Sequence, residues 1–173
     1  MYLLTVRIRN FSSKESVQEY SRNLVDHFSH EAERRMDVMH GITQRSIRVK
    51  YLKDLFLQWR GILAAYDEGL VKGDAVLGAA VWRNLFKGEA TGPDGQELDW
   101  TQVARVVAYM RRVLVQLSAV DDSLIVHAVS GMTKKGDQKD IFAANQVDEQ
   151  LAQRTSRGFT EPFSGNQNSE PGT

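Results

Sequence analysis

The sequence predicts an all-α fold, and three observations predict it. None of the three prolines (Pro93, Pro162, Pro171) falls among the first 92 residues, and no glycine precedes Gly41. Stretches free of breakers and rich in Leu, Arg, Glu, Gln and Ala favour helix. Apolar residues recur at spacings of three and four in several consecutive segments, which is the period of one helical face. The expectation is a compact domain of about five helices over residues 1–131, then a disordered tail over residues 132–173.

Each element has its own justification. Tyr2 to Arg9 enters in mid-pattern and reads as the end of a helix whose beginning lies upstream, so the domain is expected to be N-terminally incomplete. Ser12-Ser13-Lys14-Glu15 forms a Ser-x-x-Glu capping box, in which the Ser oxygen and the Glu carboxylate satisfy orphan backbone donors. Val17, Tyr20, Leu24, Phe28, Ala32, Met36 and Met39 then make one apolar stripe, closed by Gly41 as a left-handed cap. A second long helix runs from about Thr43 to Tyr66, with Ile47, Leu52, Leu55, Phe56, Trp59, Ile62, Leu63 and Tyr66 as its buried stripe. Gly61 inside it costs about 1 kcal/mol relative to Ala, which suggests a close helix–helix approach there. Gly69 is expected to end it.

Asp74 is expected to cap a short helix, Ala75 to Phe86, whose Ala75, Gly78, Ala79 and Ala80 permit tight packing. Lys87 to Leu98, with Pro93 and three glycines, reads as a surface loop. Asp99 with Gln102 caps the next helix, and its stripe is Val103, Val106, Val107, Met110, Val113, Leu114 and Leu117. Ser123 to Val129 reads as a short helix. Beyond Gly131 the chain has few large apolar residues and ends in SGNQNSEPGT, too little to offset the entropy of ordering. One weak helix, Ile141 to Arg154, is the exception.

Composition narrows the function. The 173 residues suit one domain, carry 22 basic and 22 acidic side chains, and include no cysteine. Thiol catalysis, disulfide scaffolds and Cys-based zinc sites are thereby excluded. The longest apolar run, Ala75 to Trp82, is far short of the roughly 20 residues that cross a bilayer. Tyr2 to Asn10 (YLLTVRIRN) is too short and wrongly flanked for a secretory signal, and no transit peptide is visible. The zero total conceals segments: residues 1–60 hold 11 basic against 7 acidic, and residues 61–131 hold 6 against 9.

Sites of chemistry are scarce. His27, His30 and Glu31, with Asp26, Glu33 and His40 nearby, offer i, i+4 pairs on one helix, but no Glu-x-x-His unit occurs. Helical metal centres draw such units from several helices, so solvated helix-surface histidines are the simpler reading. No nucleophile elbow and no phosphate-cradling Gly-Lys-Ser/Thr turn is present. Arg34, Arg35, Arg45, Arg48, Lys50 and Lys53 gather around the Gly41 turn and could meet phosphates, although aromatic interleaving for base stacking is lacking.

Tyr66-Asp67-Glu68-Gly69 is the oddest local chemistry. Two acids near a helix C-terminus oppose the macrodipole by roughly 0.3–1 kcal/mol each, so a compensating cation is expected. Arg83, beside Trp82, is the candidate, and Arg83→Ala would then destabilise by on the order of 1–3 kcal/mol; the alternative is an exposed acidic-aromatic corner that a partner reads.

Leu63 to Phe86 (LAAYDEGLVKGDAVLGAAVWRNLF) resembles the signature segment of the ubiquinol–cytochrome c reductase (complex III) assembly chaperone family. Tyr-Asp-Glu-Gly, then Gly-Asp, then Ala-Ala-x-Trp-Arg-x-x-Phe form a long ordered run, and the likeness extends over about Leu3 to Gly131. The resemblance implies an all-α, non-enzymatic, cofactor-free assembly chaperone. Its implied partners are newly made cytochrome b, a small helical co-chaperone and the mitochondrial ribosome. The implied place is mitochondrial, on the matrix side and peripheral to the inner membrane. Tyr66, Asp67, Glu68, Gly69, Asp74, Trp82, Arg83 and Phe86 fall on the signature, and the six basic residues are the expected ribosome contacts. Two departures stand out: the family pattern begins further upstream, and the Phe86–Asp99 loop is longer and richer in Gly and Pro. The competing readings are a helical metal-dependent enzyme built on His27, His30 and Glu31, and a general RNA-binding accessory factor.

Overall fold

The computed structural model describes residues 1–91, 95, 98–129 and 148. Among these it contains six helices: α1 (Tyr2–Ile8), α2 (Lys14–Val38), α3 (Arg45–Lys72), α4 (Asp74–Leu85), α5 (Trp100–Ser118) and α6 (Asp122–Val129). The all-α expectation holds. No helix among the described residues is long and apolar enough to cross a membrane. The tail expected over 132–173 lies outside the described residues except for Asp148, which is helical and buried.

The chain divides into two units, residues 1–63 with 113–142, and residues 64–112 with 143–173. In the first, α1 and the residues after it pack with α2 and α6. Ile8 and Phe11 are buried, Phe11 meets the Tyr20 ring edge-on at 5.8 Å, and Ile125 of α6 is buried with them. Arg7 is the polar anchor. Its guanidinium donates to the carbonyls of Leu117 (2.8 Å) and Val120 (2.6 Å), and pairs with Asp122 at 2.6 Å. The Leu117 carbonyl also accepts from the Val120 N–H at 3.2 Å, and Val120 lies just past the end of α5, so an 8 % exposed cation clamps the turn that closes α5 and joins it to α1.

The cap of α2 differs from the expected box. Ser13, not Ser12, accepts from the Ser16 N–H at 3.3 Å, and Glu15 accepts from the Ser13 hydroxyl. Ser12 is used elsewhere: its N–H and hydroxyl both donate to Asp122. Gly41, at φ +64°, caps the far end as expected.

The stripe of α3 was expected to be buried and is not, and the apolar stripe of α2 is left open as well. α2 has no buried residue, and the only one in α3 is Gly69. Phe28, Met39, Ile47 and Phe56 are all exposed. Arg48 ties the two helices together, reaching Glu33 (3.2 Å), Asp37 (3.6 Å) and the carbonyls of Ile42 and Thr43. Gly61 lies in open space, with nothing within 4 Å of an added Cβ, so it marks no close approach. Periodicity reports which side of a helix is apolar; whether a neighbour covers that side is a tertiary matter.

In the second unit the end of α3 packs with α4 and the first part of α5. Leu77, Val81, Val103 and Val107 are wholly buried, and Ala80, Ala104 and Ala108 let the backbones approach. Asp99 caps α5 as expected, accepting from the Thr101 N–H at 2.8 Å.

Candidate functional site

The signature segment occupies the α3–α4 corner of the second unit. α3 does not stop at Gly69 but continues to Lys72, and Gly73 makes the turn at φ +112°, where L side chains are strained. Gly69 has a different task. A Cβ there would sit 2.5 Å from the Leu77 Cα and 2.8 Å from its N, so only glycine lets α4 lie this close to α3.

Asp74 makes no capping bond; the N-cap is Gly73. Its carboxylate instead pairs with Arg111 of α5 at 2.9 Å. The same guanidinium donates to the carbonyls of Leu70 (3.2 Å) and Gly69 (3.4 Å). One arginine thus serves the negative end of α3 and the acid at the positive end of α4, joining three helices.

This finding goes against the clamp reading of Arg83 and leaves the exposed-corner reading. Glu68 bonds to Lys72, one turn on, at 2.6 Å, and that bond leads in holding its carboxyl below the usual range. Arg83 adds only a longer-range attraction. It is exposed and makes no hydrogen bond among the described residues. Lys72 and Arg111 therefore compensate the acidic helix end. Arg111 was missed because nothing local marks it: it lies 37 residues from Asp74 on another helix, outside that helix's apolar stripe.

The aromatic residues of the signature fix the loop after α4. The Trp82 indole N–H donates to the Glu89 carbonyl at 3.0 Å, and its ring lies 5.6 Å from that of Trp100. Phe86 is the C-cap of α4 and is half-buried. Tyr66 and Asp67 are half-buried too, and burial pushes the Tyr66 phenol up from its ordinary pKa. Leu85 and Trp100 are 58 % and 40 % exposed, so an apolar rim borders this corner.

A second polar feature gave no sequence signal. Arg112 and Asp148 form a forked ion pair (2.6 and 2.9 Å), with side chains 8 % and 7 % exposed. The guanidinium also stacks over the Tyr109 ring at 5.4 Å. Asp148 raises the Arg112 pKa further, through hydrogen bonding first and charge second.

Of the six basic residues around the Gly41 turn, three are already engaged. Arg34 and Arg35 both bond to Glu31 at 2.8 Å, and Arg48 is held inside the α2–α3 turn. Arg45, Lys50 and Lys53 are exposed and make no ion pair among the described residues. No group of three His, Asp or Glu residues is placed to hold a cation among the described residues, and Glu31, its pKa lowered to about 2, is committed to Arg34 and Arg35.

The sequence model described as Ubiquinol-cytochrome C chaperone matches residues 1–130. Protein CBP3, mitochondrial, of Saccharomyces cerevisiae is 35 % identical over 121 residues, covering 70 % of this chain and 34 % of its own length. Ubiquinol-cytochrome c reductase complex assembly factor 1 of Drosophila melanogaster is 33 % identical over 76 residues, 43 % of this chain and 27 % of its own. The chain thus spans about a third or less of the length of these relatives. No solved structure matches. With three-quarters of its sequence under the family match, signature corner included, the chain belongs to the ubiquinol-cytochrome C chaperone family.

Proposed function

We propose that this chain is the helical domain of a non-catalytic assembly factor for respiratory complex III in mitochondria. The family match over residues 1–130 carries the reading. It is supported by one relative named as a mitochondrial protein and another named as a complex III assembly factor. In this reading the domain holds newly made cytochrome b until haem is inserted. It works with a small helical co-chaperone at the mitochondrial ribosome, on the matrix side and peripheral to the inner membrane.

The signature residues divide by role. Gly69 and Asp74 build the corner. Tyr66, Asp67, Glu68, Trp82, Arg83 and Phe86 offer partners an acidic, aromatic and basic edge. Helices α2 and α3, with apolar residues left open to solvent, supply grip without an active site. The ribosome contact falls to Arg45, Lys50 and Lys53, the members of the basic hairpin not already engaged, and is made to protein at the ribosome rather than to RNA phosphate.

A chimera tests this reading. Residues 1–130 would replace the matching segment of CBP3 in yeast lacking CBP3, with complex III and cytochrome b followed on native gels. Restored complex III is the expected result. A chimera present at normal levels with no complex III would overturn the proposal.

A further inference from the structure

The outer face of α3 in the first unit carries an arrangement that the packing does not use. Arg45, Val49, Lys53, Phe56 and Arg60 follow one another at spacings of four, four, three and four, a straight line of roughly 22 Å along the helix. Lys50 and Leu57 widen it into an arc of about 140° that holds no acid between residues 45 and 63. All seven are exposed, with Val49 at 53 %, Phe56 at 47 % and Leu57 at 55 %. The four cations make no ion pair among the described residues, although Arg34, Arg35 and Arg48 nearby all have carboxylate partners. Gly61 beside the line leaves open space for a second backbone.

We infer that this face docks an acidic amphipathic helix of a protein partner, whose carboxylates pair with Arg45, Lys53 and Arg60 while its apolar side chains cover Val49, Phe56 and Leu57. The inference rests on the reading of the basic hairpin as a macromolecule-binding face, and it names the chemistry of the partner. The alternation of charge and apolar surface selects this occupant. RNA phosphates would answer the cations but leave the apolar residues uncovered. A bilayer would cover the apolar residues but sink Lys53, at the centre of the arc, among acyl chains. A second copy would set four cations against four. Residues 132–173, with 5 basic against 6 acidic side chains, offer little complementary charge. An acidic helix satisfies both kinds of group at helical spacing.

The test uses the full chain and a labelled synthetic peptide with Glu at i, i+4 positions flanking Leu and Phe, read by fluorescence anisotropy. Controls are a scrambled peptide of the same composition, polyuridylate, and vesicles of equal parts phosphatidylcholine and phosphatidylglycerol. The amphipathic peptide should bind at least about tenfold tighter than the scrambled one, and more weakly as salt rises. Lys53→Glu with Arg60→Glu should abolish binding, and Phe56→Ser should weaken it at every salt concentration, with helix content unchanged by circular dichroism. Equal binding of the scrambled peptide, tighter binding of polyuridylate or vesicles, or indifference to the paired charge reversal would each overturn the inference. These readouts do not involve complex III, so this inference and the assembly reading fail separately.

Discussion

The α3–α4–α5 corner and the α2–α3 pair are built from the same helical material and solve opposite problems. In the corner, small residues bring backbones together, the apolar side chains between them are wholly buried, and Arg111 consumes the charges left at the helix ends. Along α2 and α3 the apolar side chains are larger, yet they stay partly open, and the two helices are tied mainly through Arg48 near one turn. Helices packed through Gly and Ala expose little and specify one geometry. Helices carrying Phe, Met and Tyr with few neighbours leave apolar surface open to solvent.

The sharpest way to break the comparison is at the buried ion pair of the second unit. Arg112→Ala leaves the Asp148 carboxylate buried without its fork, and should lower unfolding free energy in urea by about 3–5 kcal/mol. Arg112→Lys should recover only part of that, because an ammonium cannot make the two parallel bonds. Gly69→Ala comes next. Its Cβ meets backbone atoms of Leu77 rather than a flexible side chain, so a loss of about 1–3 kcal/mol is expected.

Gly61→Ala has the opposite sign. In an exposed helix interior with open space around it, the added methyl should stabilise by about 0.5–1 kcal/mol, seen as a higher melting temperature. Two glycines eight residues apart on one helix would then differ in sign, and equal responses would erase the contrast between the regions. The smallest effect lies on the open pair of helices. Hydrogen bonds from Arg34 and then Arg35 hold the Glu31 carboxyl down to about 2 against an ordinary 4.5. A depressed folded pKa means that its contribution is complete above the unfolded value and lost as pH falls toward 2. An NMR titration should place its midpoint well below 4.5, and Arg34→Ala with Arg35→Ala should return it toward that value.

Much of this was legible in the sequence because it is local. Gly41 as a left-handed cap, Asp99 as the cap of α5, and the stripe from Val103 to Leu117 all follow from spacing and residue type. The errors share one cause. Gly69 looked like a terminator because glycine ends helices, but its meaning lay in Leu77, brought against it by the turn at Gly73. The clamp of the Asp67–Glu68 corner by Arg83, one of two readings, rested on a nearby cation on the following helix, while the bonds that matter reach Lys72 and, for the helix end, Arg111. The unclaimed Asp148 is 36 residues from the arginine that buries it.

By itself, the sequence determined helix positions, most of their ends, the absence of thiol chemistry and the resemblance of the Leu63–Phe86 run, since each depends on residues within a few turns of one another. Tertiary structure alone decided which apolar stripes are covered, which glycine is a contact and which a vacancy, and which arginines are spoken for. Those outcomes depend on distances between segments far apart in the chain, and a periodic pattern carries no information about what stands opposite it.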